Sequence, residues 1–136
     1  MGLNKSKCLY HIVLTTKYRE KIFCFDFVQK LVKRCLNKLL VKWNSLNIVD
    51  YSIELDHIHL LLKVKPSYNI SRIVGDFKQL IGFELFNTYP YIKRNYFKNT
   101  KSLWTRSYYC TTVGDISSKV VINYIKSQEN YQRIKL

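Results

Sequence analysis

Apolar residues recur every three or four positions in two parts of the chain, which is the spacing of one face of an α-helix. The first part runs from Phe27 to Trp43 and has Asp26 as its candidate N-cap. The second spans residues 70–88 and follows a candidate cap at Asn69. Both patterns predict amphipathic helices that need an apolar surface on which to pack.

Four other stretches are rich in β-branched and aromatic residues and predict strands. They are Cys8–Thr16, Ile48–Ile53, His57–Lys65 and Tyr108–Val113. The second and third are close enough in sequence to form an antiparallel hairpin, which Pro66 closes. After a turn at Gly114, Asp115 is expected to cap a last helix over roughly residues 116–131.

The order β-α-β-β-α-β-α predicts an α+β fold. It is typical of the ferredoxin-like, split β-α-β sandwich, in which helices lie on one antiparallel sheet. A C-terminal helix would be added to that core. Because no repeat or linker divides the chain, residues 1–136 are expected to form a single domain.

The charge of the chain indicates a polyanionic partner. Its 23 lysines and arginines against 9 acidic residues give a net charge of +14. Repulsion of this size weakens a compact fold unless a polyanion offsets it, so nucleic acid is the expected partner. A membrane is disfavoured, because the basic residues are spread along the chain without a long apolar stretch.

The cysteines indicate a reducing compartment. Cys8, Cys24, Cys35 and Cys110 form no C-x-x-C pair, and the first residues lack the apolar core of a secretion signal. We therefore expect reduced, mostly buried thiols in a cytoplasmic protein.

Two histidines stand two positions apart in LDHIHLLLKV, residues 55–64. On a strand His57 and His59 share one face, while Ile58 and its alternate neighbours point to the other, apolar face. The two imidazoles are then close enough to bind one cation. A pair of half-buried histidines without a ligand explains so short a pattern equally well.

A second candidate site lies in VVINYIKSQEN, residues 120–130. Their four-residue spacing places Tyr124 and Gln128 on one face of the last predicted helix. An aromatic residue at helical spacing most often packs in a core. A tyrosine is also able to attack phosphorus, provided that the cost of deprotonating a group with a pKa of about 10 is offset. A divalent cation held by imidazoles does this by polarising the phosphate.

Together these residues resemble the single-tyrosine transposases (TnpA) of IS200/IS605-like single-strand insertion sequences, which are HUH endonucleases. The His57-Ile58-His59 triplet is similar to the histidine-hydrophobic-histidine signature of that group. The resemblance covers nearly the whole chain, through YHIVLTTKYRE, DHIHLLL, LWTRSYYCTTVGD and YIKSQ. Glu20 departs from the pattern, which has a second basic residue after KYR.

The resemblance implies an activity and the residues responsible for it. The chain would cut and rejoin single-stranded DNA at element ends that carry hairpins, with Tyr124 forming a 5′-phosphotyrosine link. His57, His59 and Gln128 would hold Mg²⁺ or Mn²⁺. The family resemblance also implies a homodimer in a prokaryotic cytoplasm, in which the tyrosine helix of one subunit is able to complete the histidine site of the other.

DNA contacts are expected in the basic, aromatic stretch that follows the second helix. Its cations neutralise phosphates, while Tyr91, Tyr96 and Phe97 offer flat faces to unpaired bases, and Trp104 is expected to be packed instead. The candidate DNA-binding residues are Lys93, Arg94, Lys98, Lys101 and Arg106, together with Lys78 on the second helix. His11, on the apolar first strand, is expected to be a hydrogen-bonded core residue.

Two other functions stay open at this point. A catalytically inactive or domesticated relative would bind DNA hairpins without cutting them, which the retention of both histidines, Tyr124 and Gln128 disfavours. An RNA-binding module has the same β-α-β-β-α-β order, but its central strands carry aromatic residues where this chain has His57 and His59.

Overall fold

A computed structural model describes residues 7–114 of the chain. The strands are β1 (Cys8–Thr15), β2 (Asn47–Ile53), β3 (His57–Val64) and β4 (Tyr109–Gly114), and the helices are α1 (Asp26–Lys42), α2 (Ile70–Thr88) and α3 (Pro90–Tyr96). The strands form one antiparallel sheet in the order β2-β3-β1-β4. The predicted last helix, with Asp115, Tyr124 and Gln128, lies outside the described residues.

The main core lies between the sheet and the helices α1 and α2. Ile12 from β1 and Leu60 from β3 are at most 1% exposed and join the same cluster as Leu36 and Phe77 from the helices. The opposite face of the sheet carries a smaller apolar cluster around Leu9 and Leu61. The antiparallel order with β1 and β3 at the centre confirms the predicted ferredoxin-like α+β fold.

The starts of the two long helices differ from each other. Asn69 caps α2 as predicted, since its side-chain oxygen accepts from the amides of Ser71 and Arg72 at 2.9 and 3.3 Å. The predicted Asp26 cap on α1 is wrong, because Phe25 occupies the N-cap position without a side-chain hydrogen bond. A 3-10 turn at Ile22–Cys24, which buries Ile22 and Phe23, leads the chain into α1 one residue earlier than the polarity pattern indicated.

Two further elements depart from the prediction. Helix α3 has no predicted counterpart; it begins at Pro90, where a missing amide proton is tolerated, and it buries Ile92. Strand β4 starts one residue later than predicted, and it ends at Gly114. That glycine pairs with Leu9 at the end of the strand, whereas the sequence predicted a turn at this residue.

The cysteines are free thiols, but their burial differs from the expectation. Cys35 is buried, which raises the pKa of its thiol to about 11. Cys24 and Cys110 are exposed, so the expectation of mostly buried thiols is wrong for these two. Within residues 7–114, no helix combines the length and the apolarity that a bilayer span requires.

Candidate active site

Strand β3 carries both histidines on the sheet face opposite α1 and α2. Across the central strand pair, His57 lies beside Thr15 and His59 beside Val13, while Ile58 points into the core with 1% of its surface exposed. The ring centroids of His57 and His59 are 5.1 Å apart at an interplanar angle of 75°. The predicted common face of the two imidazoles is therefore confirmed.

The third histidine of the chain belongs to the same site. The Nε2 atom of His11 lies 2.9 Å from Nδ1 of His59, and the two rings stack with centroids 5.1 Å apart. The ring of Tyr109 on β4 lies edge to face with that of His11, with centroids 5.6 Å apart. A hydrogen-bonded, buried His11 was expected, but its place beside His59 depends on the register of β1 against β3, which local sequence does not show.

The carboxylate of Asp56 contacts the ring of His57. The Asp56 Oδ1 atom lies 2.7 Å from Nδ1 of His57, and Oδ2 accepts from Nε of Arg19 at 2.8 Å. Burial alone would raise the pKa of the Asp56 carboxyl, but the hydrogen bonds from His57 and Arg19 outweigh it and hold the pKa below its usual value. The carboxylate is therefore an acceptor only, so Nδ1 of His57 carries a proton.

These contacts fit the role of a metal ligand. A neutral imidazole with its proton on Nδ1 has its lone pair on Nε2, and metal-binding histidines commonly donate their other nitrogen to a carboxylate. Two imidazoles suit Mn²⁺ better than the harder Mg²⁺, which prefers oxygen. Within residues 7–114 no three histidine, cysteine or acidic side chains are arranged to hold one metal ion, so a third ligand of these types would come from outside those residues.

The basic, aromatic stretch divides between surface and core. Among the candidate DNA-binding residues, the exposed ones are Arg94, Lys98, Lys101 and Arg106. Lys93 is half-buried, and its Nζ donates to the carbonyl oxygen of Phe97 at 3.2 Å. Phe97 is fully buried against Phe86, so the expected stacking of a base on Phe97 is wrong. Trp104 is packed as expected, against Phe23.

Part of this stretch reaches the end of the sheet at which Thr15 pairs with His57, called here the histidine end. The amide of Thr105 donates to the carbonyl oxygen of Thr15 at 2.9 Å, and Thr15 pairs with His57. Lys78 of α2 holds the segment there, because its Nζ donates to the carbonyl oxygens of Thr105 and Arg106 at 2.9 and 3.2 Å. Burial lowers the pKa of the Lys78 ammonium. The predicted DNA contact of Lys78 stays a prediction, and in the fold this side chain supports Arg106.

Comparison with known proteins identifies the family of this fold and site. Residues 4–128 match the family model described as IS200-like transposase. The chain belongs to that family. The resemblance found in the sequence is thereby confirmed, and the RNA-binding alternative is disfavoured.

Two curated relatives of this transposase show how far the similarity extends. The transposase for insertion sequence element IS200 of Salmonella typhimurium is 33% identical over 121 residues, which cover 89% of this chain and 76% of the relative. The ISDra2 transposase TnpA of Deinococcus radiodurans is 28% identical over 121 residues, 89% of this chain and 84% of that protein.

Solved structures agree with the fold of this transposase. A crystal structure of a transposase candidate from Deinococcus radiodurans matches with a TM-score of 0.69 and 28% identity, over 93% of both chains. A REP-associated tyrosine transposase bound to a REP hairpin matches with a TM-score of 0.60 over 93% of this chain and 66% of the other. The second pair is 9% identical, so that likeness concerns the fold alone.

Proposed function

We propose that this transposase cuts and rejoins single-stranded DNA at insertion-sequence ends through a covalent 5′-phosphotyrosine intermediate on Tyr124. The observation that carries the proposal is the pair of imidazoles on one face of β3, each with its Nδ1 atom held by a neighbouring side chain. Asp56 holds His57, and His11 holds His59, at 2.7 and 2.9 Å.

The chemistry is a transfer of one phosphoryl group between oxygen atoms. The phenolic oxygen of Tyr124 loses its proton and attacks phosphorus, the bond to the 3′-oxygen breaks, and that oxygen takes up a proton to become a free 3′-hydroxyl. In rejoining, a second 3′-hydroxyl loses its proton and attacks the phosphotyrosine, the bond between phosphorus and the phenolic oxygen breaks, and that oxygen takes up a proton. A Mn²⁺ or Mg²⁺ ion held by His57, His59 and Gln128 would polarise the scissile phosphate and neutralise the charge that develops on it.

The exposed cations provide the DNA-binding surface in this proposal. Arg106 and Lys101 lie on the segment that joins the histidine end of the sheet, so they are placed to neutralise phosphates near the scissile one. Tyr91 is 55% exposed on α3, beside Arg94, and offers a face on which an unpaired base stacks. We propose that DNA hairpins at the element ends bind to this surface.

The homodimer is proposed to form through β4. Within residues 7–114 the sheet ends at β2 on one side and at β4 on the other. Strand β2 carries the charged Asp50, which discourages edge-to-edge pairing. Strand β4, with the sequence YCTTVG, has no charge and no proline. A pairing of two β4 edges would place two histidine sites on one continuous sheet, where the tyrosine helix of one subunit is able to complete the other's site.

The test is adduct formation on labelled single-stranded DNA that contains candidate element ends and hairpins, with Mn²⁺ present. Wild-type protein should give a covalent adduct on a denaturing gel, whereas Tyr124→Phe should bind the hairpin and give none. Tyr18→Phe is the matched control, because it removes the hydroxyl of a tyrosine that is 59% exposed and directly precedes Arg19, the ion-pair partner of Asp56. Loss of the adduct in the Tyr18 variant, or its persistence in the Tyr124 variant, would assign the nucleophile elsewhere. An intact hairpin complex without any wild-type adduct would support the inactive binder.

A further inference from the structure

The turn that follows β1 has an unusual backbone. Tyr18 and Arg19 have φ angles of 60° and 54°, in the left-handed region. A residue with a Cβ atom adopts that region at a cost of roughly 1–2 kcal/mol. The buried Thr16 holds the turn in place with two hydrogen bonds. Its amide donates to the carbonyl oxygen of Asp56 at 2.9 Å, and its hydroxyl donates to the carbonyl oxygen of Glu20 at 2.8 Å.

The turn places the guanidinium of Arg19 over the carboxylate of Asp56. The Arg19 side chain is 68% exposed and that of Asp56 is 13% exposed, and the contact measures 2.8 Å. An ion pair with one exposed partner stabilises a fold by about 0–1 kcal/mol, which is less than the strain of two left-handed residues. The ion pair alone therefore does not offset the strain of the turn.

The carboxylate of Asp56 lies between two donors. One oxygen accepts from Arg19 and the other meets Nδ1 of His57 at 2.7 Å, so the carboxylate is fixed in one rotamer by a contact on each oxygen. An acceptor on Nδ1 keeps the proton there and fixes the rotation of the ring, which sets the direction of the Nε2 lone pair. The strained turn thus acts on His57 through two side chains.

We propose that Arg19 and Asp56 are positioning residues that hold His57 in the tautomer and orientation required for metal binding. This role rests on the proposed function, because it presupposes that His57 is a ligand. Neither residue contacts the reacting atoms in the proposal. Outer partners of this kind typically change metal affinity by about 10- to 100-fold.

The experiment measures Mn²⁺ dissociation constants of the full chain by calorimetry, without DNA. Arg19→Ala and Asp56→Asn should each weaken Mn²⁺ binding by about tenfold. Lys21→Ala is the matched control, since it removes an exposed positive charge two residues from Arg19, and it should leave the affinity within about twofold. In metal-free protein, the ¹⁵N shifts of His57 should report a proton on Nδ1 in the wild type and a mixture of tautomers in both variants.

The outcomes separate this role from the proposed function. If wild-type protein binds no Mn²⁺ through His57, tested with His57→Ala, the metal site and this role are both refuted. If the wild type binds through His57 but Arg19→Ala matches it in Mn²⁺ affinity and ¹⁵N shifts, only the positioning role is refuted. A loss of DNA affinity alone in that variant would show a phosphate contact instead. Because Arg19 is exposed, its variant keeps the test valid even if Asp56→Asn fails to fold.

Discussion

His11 shows how one buried side chain sets the properties of another. It is 4% exposed, and it contacts the rings of His59 and Tyr109, which lie on the two strands that flank β1. The polar contact joins Nε2 of His11 to Nδ1 of His59, and the tautomers of the two rings decide which nitrogen donates. If His59 binds metal through Nε2, its Nδ1 must donate, so His11 must accept and carry its own proton on Nδ1.

We expect His11→Phe to weaken Mn²⁺ binding by about tenfold, because the stacked ring is retained while the acceptor for His59 is lost. His11→Gln offers an amide oxygen to the same Nδ1 atom and should recover part of the affinity. The measurement is the Mn²⁺ dissociation constant, with circular dichroism as a check on folding. Equal affinities in the wild type and in His11→Phe would contradict the orienting role.

Helix α2 contributes to the site through a contact near its middle. Lys78 donates to the carbonyl oxygens of Thr105 and Arg106, while the indole of Trp104 donates to the carbonyl oxygen of Lys78 at 3.0 Å. Helix α2 therefore donates hydrogen bonds to the segment before β4 and accepts one from it. This contact holds Arg106 close to the end of the sheet at which β1 and β3 present Thr15 and His57.

Lys78→Met should lower the free energy of unfolding by about 1–2 kcal/mol, because it removes charge-assisted hydrogen bonds to two carbonyl oxygens. Arg94→Met provides the contrast, since Arg94 is exposed on α3. It should leave the melting temperature unchanged and reduce the slope of log affinity against log salt by about 1. If Lys78→Met changes only the salt slope, Lys78 is a DNA contact and the supporting role is wrong.

Over the whole molecule, charge and the edges of the sheet determine what the protein associates with. A net charge of +14 favours a polyanion and opposes association of two copies at low salt. The uncharged strand β4 offers backbone hydrogen bonds that work against this repulsion. We therefore expect dimerisation to strengthen with salt, whereas DNA binding weakens with salt.

Thr112→Lys should weaken the dimer by about tenfold or more, because it adds a charge to an exposed position on the β4 edge. Ser67→Lys adds the same charge at an exposed position outside the sheet and should leave the dimer unchanged. Sedimentation velocity of both variants over a series of concentrations is the measurement. A wild-type monomer, or equal effects of the two lysines, would contradict pairing through β4.

Strand alternation was sufficient to predict the face that His57 and His59 share, because that inference needs only the two-residue period of a strand. The contacts of His11 and Arg19 lay beyond such reasoning. The first depends on the pairing of β1 with β3, and the second on a turn in which Tyr18 and Arg19 adopt left-handed backbone without a glycine to signal it. The burial of Phe97 is likewise a tertiary outcome, which its basic neighbours in the sequence obscured.

Pulsed electron paramagnetic resonance of bound Mn²⁺ tests the central claim, that paired imidazoles hold the metal of this transposase. The wild-type protein should show couplings from two imidazole nitrogens, and His57→Ala should show one. His57 is the better position to change, because its side chain is 15% exposed while His59 is 3% exposed. Bound Mn²⁺ without nitrogen couplings, or a spectrum that His57→Ala leaves unchanged, would contradict the account.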